Sequence, residues 1–226
     1  MPRLAYPPLV IPFIIIFFIL LSLVLLLVQI GIFGIAFTKL GFDPRVILSL
    51  LFLSLFGSFV NIPIKRLESE RPMISGEIVD FFGMKYVIPV VRRKTATIIA
   101  INFGGGIIPL LVSIYLMSKV QHIERVLLAV FILAIMINRM ARPVRGVGIA
   151  VPALIPPLLA ATIAYILSPF EAPAVAYISG TLGSLLGADI LNINKVKDLG
   201  APVASIGGAG TFDGIFLTGI IAVLLT

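Results

Sequence analysis

Long apolar runs separated by short charged loops dominate the chain, and this pattern predicts seven membrane segments. The first, "LVIPFIIIFFILLSLVLLLVQIGIFGIAF", runs from Leu9 to Phe37 and exceeds the roughly 20 residues that a span needs. Its length and the lack of a clear small-residue cleavage site make it a retained helix rather than a signal peptide. The second is "RVILSLLFLSLFGSFVNIPI", ending at Asn61 and Pro63. The third follows "NFGGG" and reads "IIPLLVSIYLM"; the fourth, "RVLLAVFILAIMI", is short. The fifth runs from Val147 to Leu167, the sixth from Ala172 to Ile193 and the seventh from Ala201 to Leu225. If the fourth is re-entrant the count falls to six.

A different pattern separates the second and third segments. "GEIVDFFGMKYVIPVVRRKTATIIAINF" has short apolar–polar stretches rich in β-branched residues, with turn signals at Gly83 and at Arg92–Lys94. It predicts a small β-hairpin or three-strand meander over residues 65–102, facing the cytoplasm and lying on the membrane surface or against the helices. The expected fold is therefore an all-α polytopic membrane protein with about seven transmembrane helices. The β-hairpin is inserted into a single integral membrane domain spanning residues 1–226.

Composition agrees with that pattern. Hydrophobic residues make up 60% of the chain and charged residues 12%, against about a quarter charged in soluble domains. There is no cysteine and a single histidine, His122, which removes thiolate chemistry and histidine-rich metal sites. No metal or cofactor is expected. The net charge of +7 reads as basic loops that set orientation rather than as a nucleic-acid surface. With seven spans, 13 of the 17 basic residues fall on the side of the N-terminus and 4 on the other. The positive-inside rule then places the N-terminus in the cytoplasm and the C-terminus outside a multi-pass plasma-membrane protein, with the bilayer as its partner.

Most acids sit in loops, and two do not. Asp189 lies near the inner end of the sixth segment, and Asp213 lies about a dozen residues into the seventh. A carboxylate at such depth implies a functional site or a paired partner. Gly180, Gly183 and Gly187 precede Asp189 at helical spacing and suit close helix packing. "SIGGAGTFDGIF", from Ser205 to Phe216, predicts a break in the last segment, with Asp213 in the first turn of its second half. There Asp213 can cap its own helix, bind an ion or work with Asp189.

Two carboxylates close together share a proton, so one can activate water while the other protonates a carbonyl. An Asp189/Asp213 dyad of an intramembrane aspartyl hydrolase is the first expectation, acting on a membrane-embedded peptide. Gly207, Gly208, Gly210, Gly214 and Asn102 would shape the substrate site. The chain departs from the known intramembrane aspartyl proteases, which carry Gly-x-Gly-Asp. It has "GAD" and "GAGTFD", and its Pro152–Ala153–Leu154 precedes both acids, whereas the Pro-Ala-Leu of those proteases follows them. The alternatives are a transporter or channel for a small solute or ion, built from broken helices and the same acids, and a non-enzymatic membrane scaffold. Interruptions at "INFGGGIIP" and "GVGIAVPALIPP" favour the transporter, with Asn102, Asn138, Asn192 and Asn194 as amide ligands.

"LGADILNI", the following "KDLGAPVASIGGAGTFDGIFLTGIIAVLL" and "IAINFGGGIIPLLVSIYL" resemble a prokaryotic membrane-protein family known as domain of unknown function 1614. The resemblance runs from about Asn61 to the end of the chain. It implies a membrane architecture and draws attention to Asp189, Gly207, Gly208, Gly210, Asp213 and Gly214 without giving them roles.

Overall fold

The computed structural model describes residues 10–69, 78–81, 84–87, 95–144, 148–196, 202–208 and 214–226. Asp213, Gly210 and the turns expected at Gly83 and Arg92–Lys94 lie outside the described residues. The chain is mostly helical, with small sheets.

Helix α1 covers Val10–Lys39. From Ile11 to Val28 its large apolar side chains are exposed on every face. Only its last third packs: Phe33, Ala36 and Phe37 are buried, and Phe33 stacks on Phe216 at 5.4 Å between ring centroids. A short turn leads to α2, Pro44–Gly57, whose N-terminus is capped by the Asp43 side chain accepting from the Arg45 N–H.

After α2 the chain enters a sheet. Strand β1, Asn61–Ser69, pairs antiparallel with β4, Thr95–Asn102, and β4 pairs parallel with β7, Val203–Ile206. Between β1 and β4, strands β2 (Ile78–Phe81) and β3 (Met84–Val87) form an antiparallel pair. The stretch read as a hairpin or three-strand meander thus holds two small antiparallel pairs, β1 with β4 and β2 with β3, and the sheet of β1 and β4 takes a third strand from the C-terminal part of the chain. "NIPI" belongs to β1 and not to the second apolar segment. Gly57 ends α2 because the backbone of Gly104 packs against the Ser54 carbonyl and the Ser58 amide there. At about 1.5 Å per residue, the 14 residues of α2 reach only about 21 Å.

A π-helix, Phe103–Ile107, links β4 directly to α3, Ile108–Met117. Helix α4, Ile123–Met140, is longer than its apolar run, because charged residues occupy both ends while Val126, Ala129, Leu133 and Ile137 keep one buried face. A hairpin of β5 (Arg142–Val144) and β6 (Gly148–Ala150) occupies the start of the expected fifth segment, so α5 is confined to Ile155–Leu167.

Helix α6, Ala172–Ser184, is the centre of the bundle and packs on α3, α4, α5 and α8. It runs on through a second π-helix, Leu185–Asp189, and a short 3-10 turn into α7, Ile193–Val196. The glycines of this run lie where a side chain would collide: a Cβ at Gly183 would meet Leu133 at 3.0 Å, and one at Gly187 would meet the Ala134 carbonyl at 2.5 Å. Close helix packing is thus their role. The last apolar segment is split, as "SIGGAG" implied, into β7 and the 12-residue helix α8, Gly214–Leu225. Lys39 donates to the Val223 and Leu224 carbonyls at the α8 C-terminus, so α1 and α8 are tied by charge as well as by aromatic stacking.

Among the described residues two helical runs are long and apolar enough to cross a membrane, Ile11–Lys39 and Pro169–Val196. The runs at Pro44–Gly57, Phe103–Met117, Ile155–Leu167 and Gly214–Leu225 are apolar but shorter.

Candidate functional site

The site is assembled where two interrupted helices meet. Asn102 ends β4 and is 1% exposed. Its Oδ1 accepts from the Gly105 N–H at 2.7 Å, and its Nδ2 donates to the Ser58 carbonyl at 2.6 Å and to Asn61 Oδ1 at 3.1 Å. Ser205 on β7 donates to the same Asn61 oxygen. Asn102 therefore caps the Phe103–Ile107 π-helix and joins it to the end of α2, and its amide is committed to those bonds.

The π-helix then meets the glycine stretch after β7. A Cβ at Gly105 would overlap the Gly207 carbonyl, and one at Gly207 would stand 2.5 Å from both N and Cα of Gly106. Gly207 has φ +83°, in the left-handed region that glycine tolerates without a Cβ penalty. Backbone lies on backbone here, which explains why glycines occupy both strands of the contact. Gly208 also has a positive φ, +89°.

Asp189 closes the arrangement. It ends the Leu185–Asp189 π-helix and is half-buried, and its Oδ2 accepts from the Gly207 N–H at 2.9 Å. Asp189 therefore reaches the glycine stretch itself, a hydrogen bond to a charged acceptor that is stronger than a neutral one. Two amides hold the turn that carries it. Asn138 of α4 donates to the Gly187 carbonyl at 3.1 Å, and the fully buried Asn192 donates to the Gly187 and Ala188 carbonyls at 2.9 and 3.0 Å. Lys195 in turn donates to Asn192 Oδ1 at 2.7 Å. A π-helix leaves backbone carbonyls off the regular ladder, and these amides satisfy them. Asn138 and Asn192 thus position Asp189 through the backbone.

Beside Asp189 lies a cavity of about 260 Å³. Ile137, Ile149, Val151, Pro152 and Pro156 form its apolar side. Ser184, Asp189, Thr218 and the α8 N-terminal residues Gly214 and Ile215 complete it. Gly214, next to Asp213 in the chain, therefore shares a wall with Asp189. The first two residues of "PAL" line the cavity too.

Ser184 and Thr218 carried no signal as isolated residues in the sequence. The spacing of Tyr177, Thr181 and Ser184 did, since it places three hydroxyls on one face of α6. All three are buried, and among the described residues none of their hydroxyl oxygens has a partner in good hydrogen-bond geometry. Among the described residues no group of three or more His, Asp or Glu side chains could hold a metal ion.

Fold and site together define a mostly helical protein with membrane-length apolar helices and a carboxylate lodged between broken helical runs. A family model described as "Protein of unknown function (DUF1614)" matches residues 55–225, and the chain belongs to that family. The match takes in the sheet, both π-helices and the whole cavity, and leaves α1 outside it. No curated protein and no solved structure matches the chain.

Proposed function

We propose that the chain is a multi-pass membrane protein that hydrolyses a membrane-embedded peptide with an Asp189/Asp213 dyad, its N-terminus in the cytoplasm and its C-terminus outside. The observation that carries this reading is the shared cavity: Asp189 and the residue following Asp213 line one wall system beside an apolar chamber. The Oδ2 atom of Asp189 already accepts a backbone N–H, so that oxygen is set to accept rather than to carry the proton. In the proposed mechanism Asp189 takes a proton from the attacking water, and Asp213 gives its proton to the carbonyl oxygen.

Strand β7 supports a peptide substrate. Among the described residues it pairs only with β4, so it offers an open edge that runs straight into Gly207. An extended peptide adding to that edge would be led to the Asp189 carboxylate, with the main chain giving affinity and the cavity receiving a side chain.

The test is cleavage of an apolar peptide by the full chain in liposomes, read by mass spectrometry. Asp189→Asn and Asp213→Asn should each abolish cleavage while leaving the melting profile in place. Cleavage that persists in either variant removes the dyad. A second reading, transport of a small solute or ion, is favoured by the close meeting of the glycines that follow β4 and β7, at Gly105 and Gly207, where backbone leaves regular structure. Solute flux in the same liposomes that is lost in both Asp variants, with no peptide cut by the wild type, would select it.

A further inference from the structure

We propose that Ser184 and Thr218 form a side-chain subsite that selects peptides carrying an uncharged hydroxyl or amide side chain next to the bond presented to Asp189; the inference rests on the hydrolase reading above. The cavity holds about 260 Å³, just below the range of pockets that take a whole drug-sized ligand, and so fits a fragment such as one side chain. Its far walls, Ile137, Ile149, Val151, Pro152 and Pro156, are apolar.

The near wall is different. Ser184 is 5% exposed and lines the cavity, and among the described residues its hydroxyl has no hydrogen-bond partner. A buried hydroxyl left alone is destabilising, and structures keep few of them. Ser184 can both donate and accept. The Thr218 hydroxyl donates to the Gly214 carbonyl, which leaves its lone pairs to accept. A ligand group that both donates and accepts satisfies this pair; a methyl of the same size does not.

Charge narrows the class further. An anionic side chain would face the Asp189 carboxylate. A cationic one would be drawn by that carboxylate but would lose its hydration against the apolar walls, and it has donors only, with no acceptor for the Ser184 hydroxyl proton. Serine, threonine, asparagine and glutamine side chains remain. The line of hydroxyls continues behind Ser184 to Thr181 and Tyr177, but a Cβ at the facing Gly219 would already stand 2.6 Å from Thr181 Oγ1. The subsite therefore ends at Ser184 and admits a short side chain.

The experiment uses the full chain in phosphatidylcholine nanodiscs and a set of fluorescent apolar peptides, each with threonine or the isosteric valine at one central position. Binding is read by anisotropy and cleavage by mass spectrometry. At one position the wild type should bind the threonine peptide about tenfold more tightly, the factor set by one hydrogen bond to an otherwise unpaired group. Ser184→Ala should bring the pair to within about twofold, and Ser184→Thr should restore the difference. Ser184→Ala should also melt no lower than wild type, because it removes an unpartnered hydroxyl; a purely structural serine would lower the melting point. The proposal is overturned if no position discriminates threonine from valine, or if the preference survives in Ser184→Ala. Failure of the hydrolase reading looks different: the preference is present, and the wild type cuts no peptide.

Discussion

Replacing Gly207 with alanine tests the backbone contact on which the site depends. At φ +83° a side chain costs on the order of 1–2 kcal/mol. The new Cβ would also stand 2.5 Å from N and Cα of Gly106 and 2.8 Å from the Gly105 carbonyl carbon. These are main-chain atoms that cannot rotate away, so the β7 end and the π-helix must separate, an overpacking cost of about 1–3 kcal/mol. Together the two effects predict a loss of about 2–5 kcal/mol. Gly34→Ala is the control: nothing lies within 4 Å of its would-be Cβ in the last third of α1, and the change should be neutral or stabilising by up to about 1 kcal/mol. Denaturant unfolding in mixed micelles, followed by far-UV circular dichroism, reads both. The same shift would carry the Gly207 N–H away from Asp189 Oδ2. Gly207→Ala should therefore cost less in an Asp189→Ala background, a coupling that a double-mutant cycle measures. A Gly207→Ala protein that unfolds with wild type, or a cycle with no coupling, would refute the reasoning.

Three other outcomes follow from the described contacts. Tyr177→Phe removes a buried hydroxyl that makes no well-formed hydrogen bond among the described residues, its neighbour being the Thr181 hydroxyl, and should raise stability by about 1 kcal/mol, read by the same unfolding curves; a clear loss would show that the two hydroxyls are bonded. Asn192→Leu takes its amide donor from the Ala188 carbonyl and leaves the Gly187 carbonyl with Asn138 as its side-chain donor; it should cost about 1–3 kcal/mol, and it should lower peptide cleavage further than that loss of folded protein explains. The Glu124 carboxyl is held below its ordinary value of 4.5 by a hydrogen bond with its own backbone, with further help from His122 and Arg125. A depressed folded-state value means that its contribution is present above the unfolded value and is lost as the pH falls through the folded one. The melting temperature of wild type should therefore drop more steeply than that of Glu124→Gln below about pH 4.5; parallel curves would exclude the effect.

The sequence showed much of this fold, and its failures share a cause. Apolar runs located every main helix, because burial and lipid both demand the same residues. They could not mark where a run stops being helical. "NIPI" and "GIA" continue the apolar character of the helices beside them, yet they belong to β1 and β6, because strands carry the same β-branched and aliphatic residues. The parallel pairing of β4 with β7 was invisible for another reason. It joins residues about a hundred positions apart, and only the alternation in "TATIIAIN" and "PVASIG" hinted at either strand. The glycines were more informative. "FGGGI" and "SIGGAG" each predicted an interruption, and the structure brings Gly105 and Gly106 of the first against Gly207 of the second.

That pairing changes how Asp189 is understood. Its depth in the sixth apolar run suggested an acid in need of a partner carboxylate. The structure gives it a partner of another kind, the Gly207 N–H, at the end of the strand that carries the chain toward Asp213. The acid thereby joins three separate pieces of sequence: the end of α6, the turn after β7 and, through Gly105 and Gly106, the π-helix below α3. A purely structural acid would be best served by full burial among its donors. Asp189 is instead half-buried, with a cavity beside it in which a second polar side chain, Ser184, has no hydrogen-bond partner among the described residues. A stability role explains the Gly207 hydrogen bond but not the unsatisfied hydroxyl or the chamber. Both are accounted for if something with a polar group enters there.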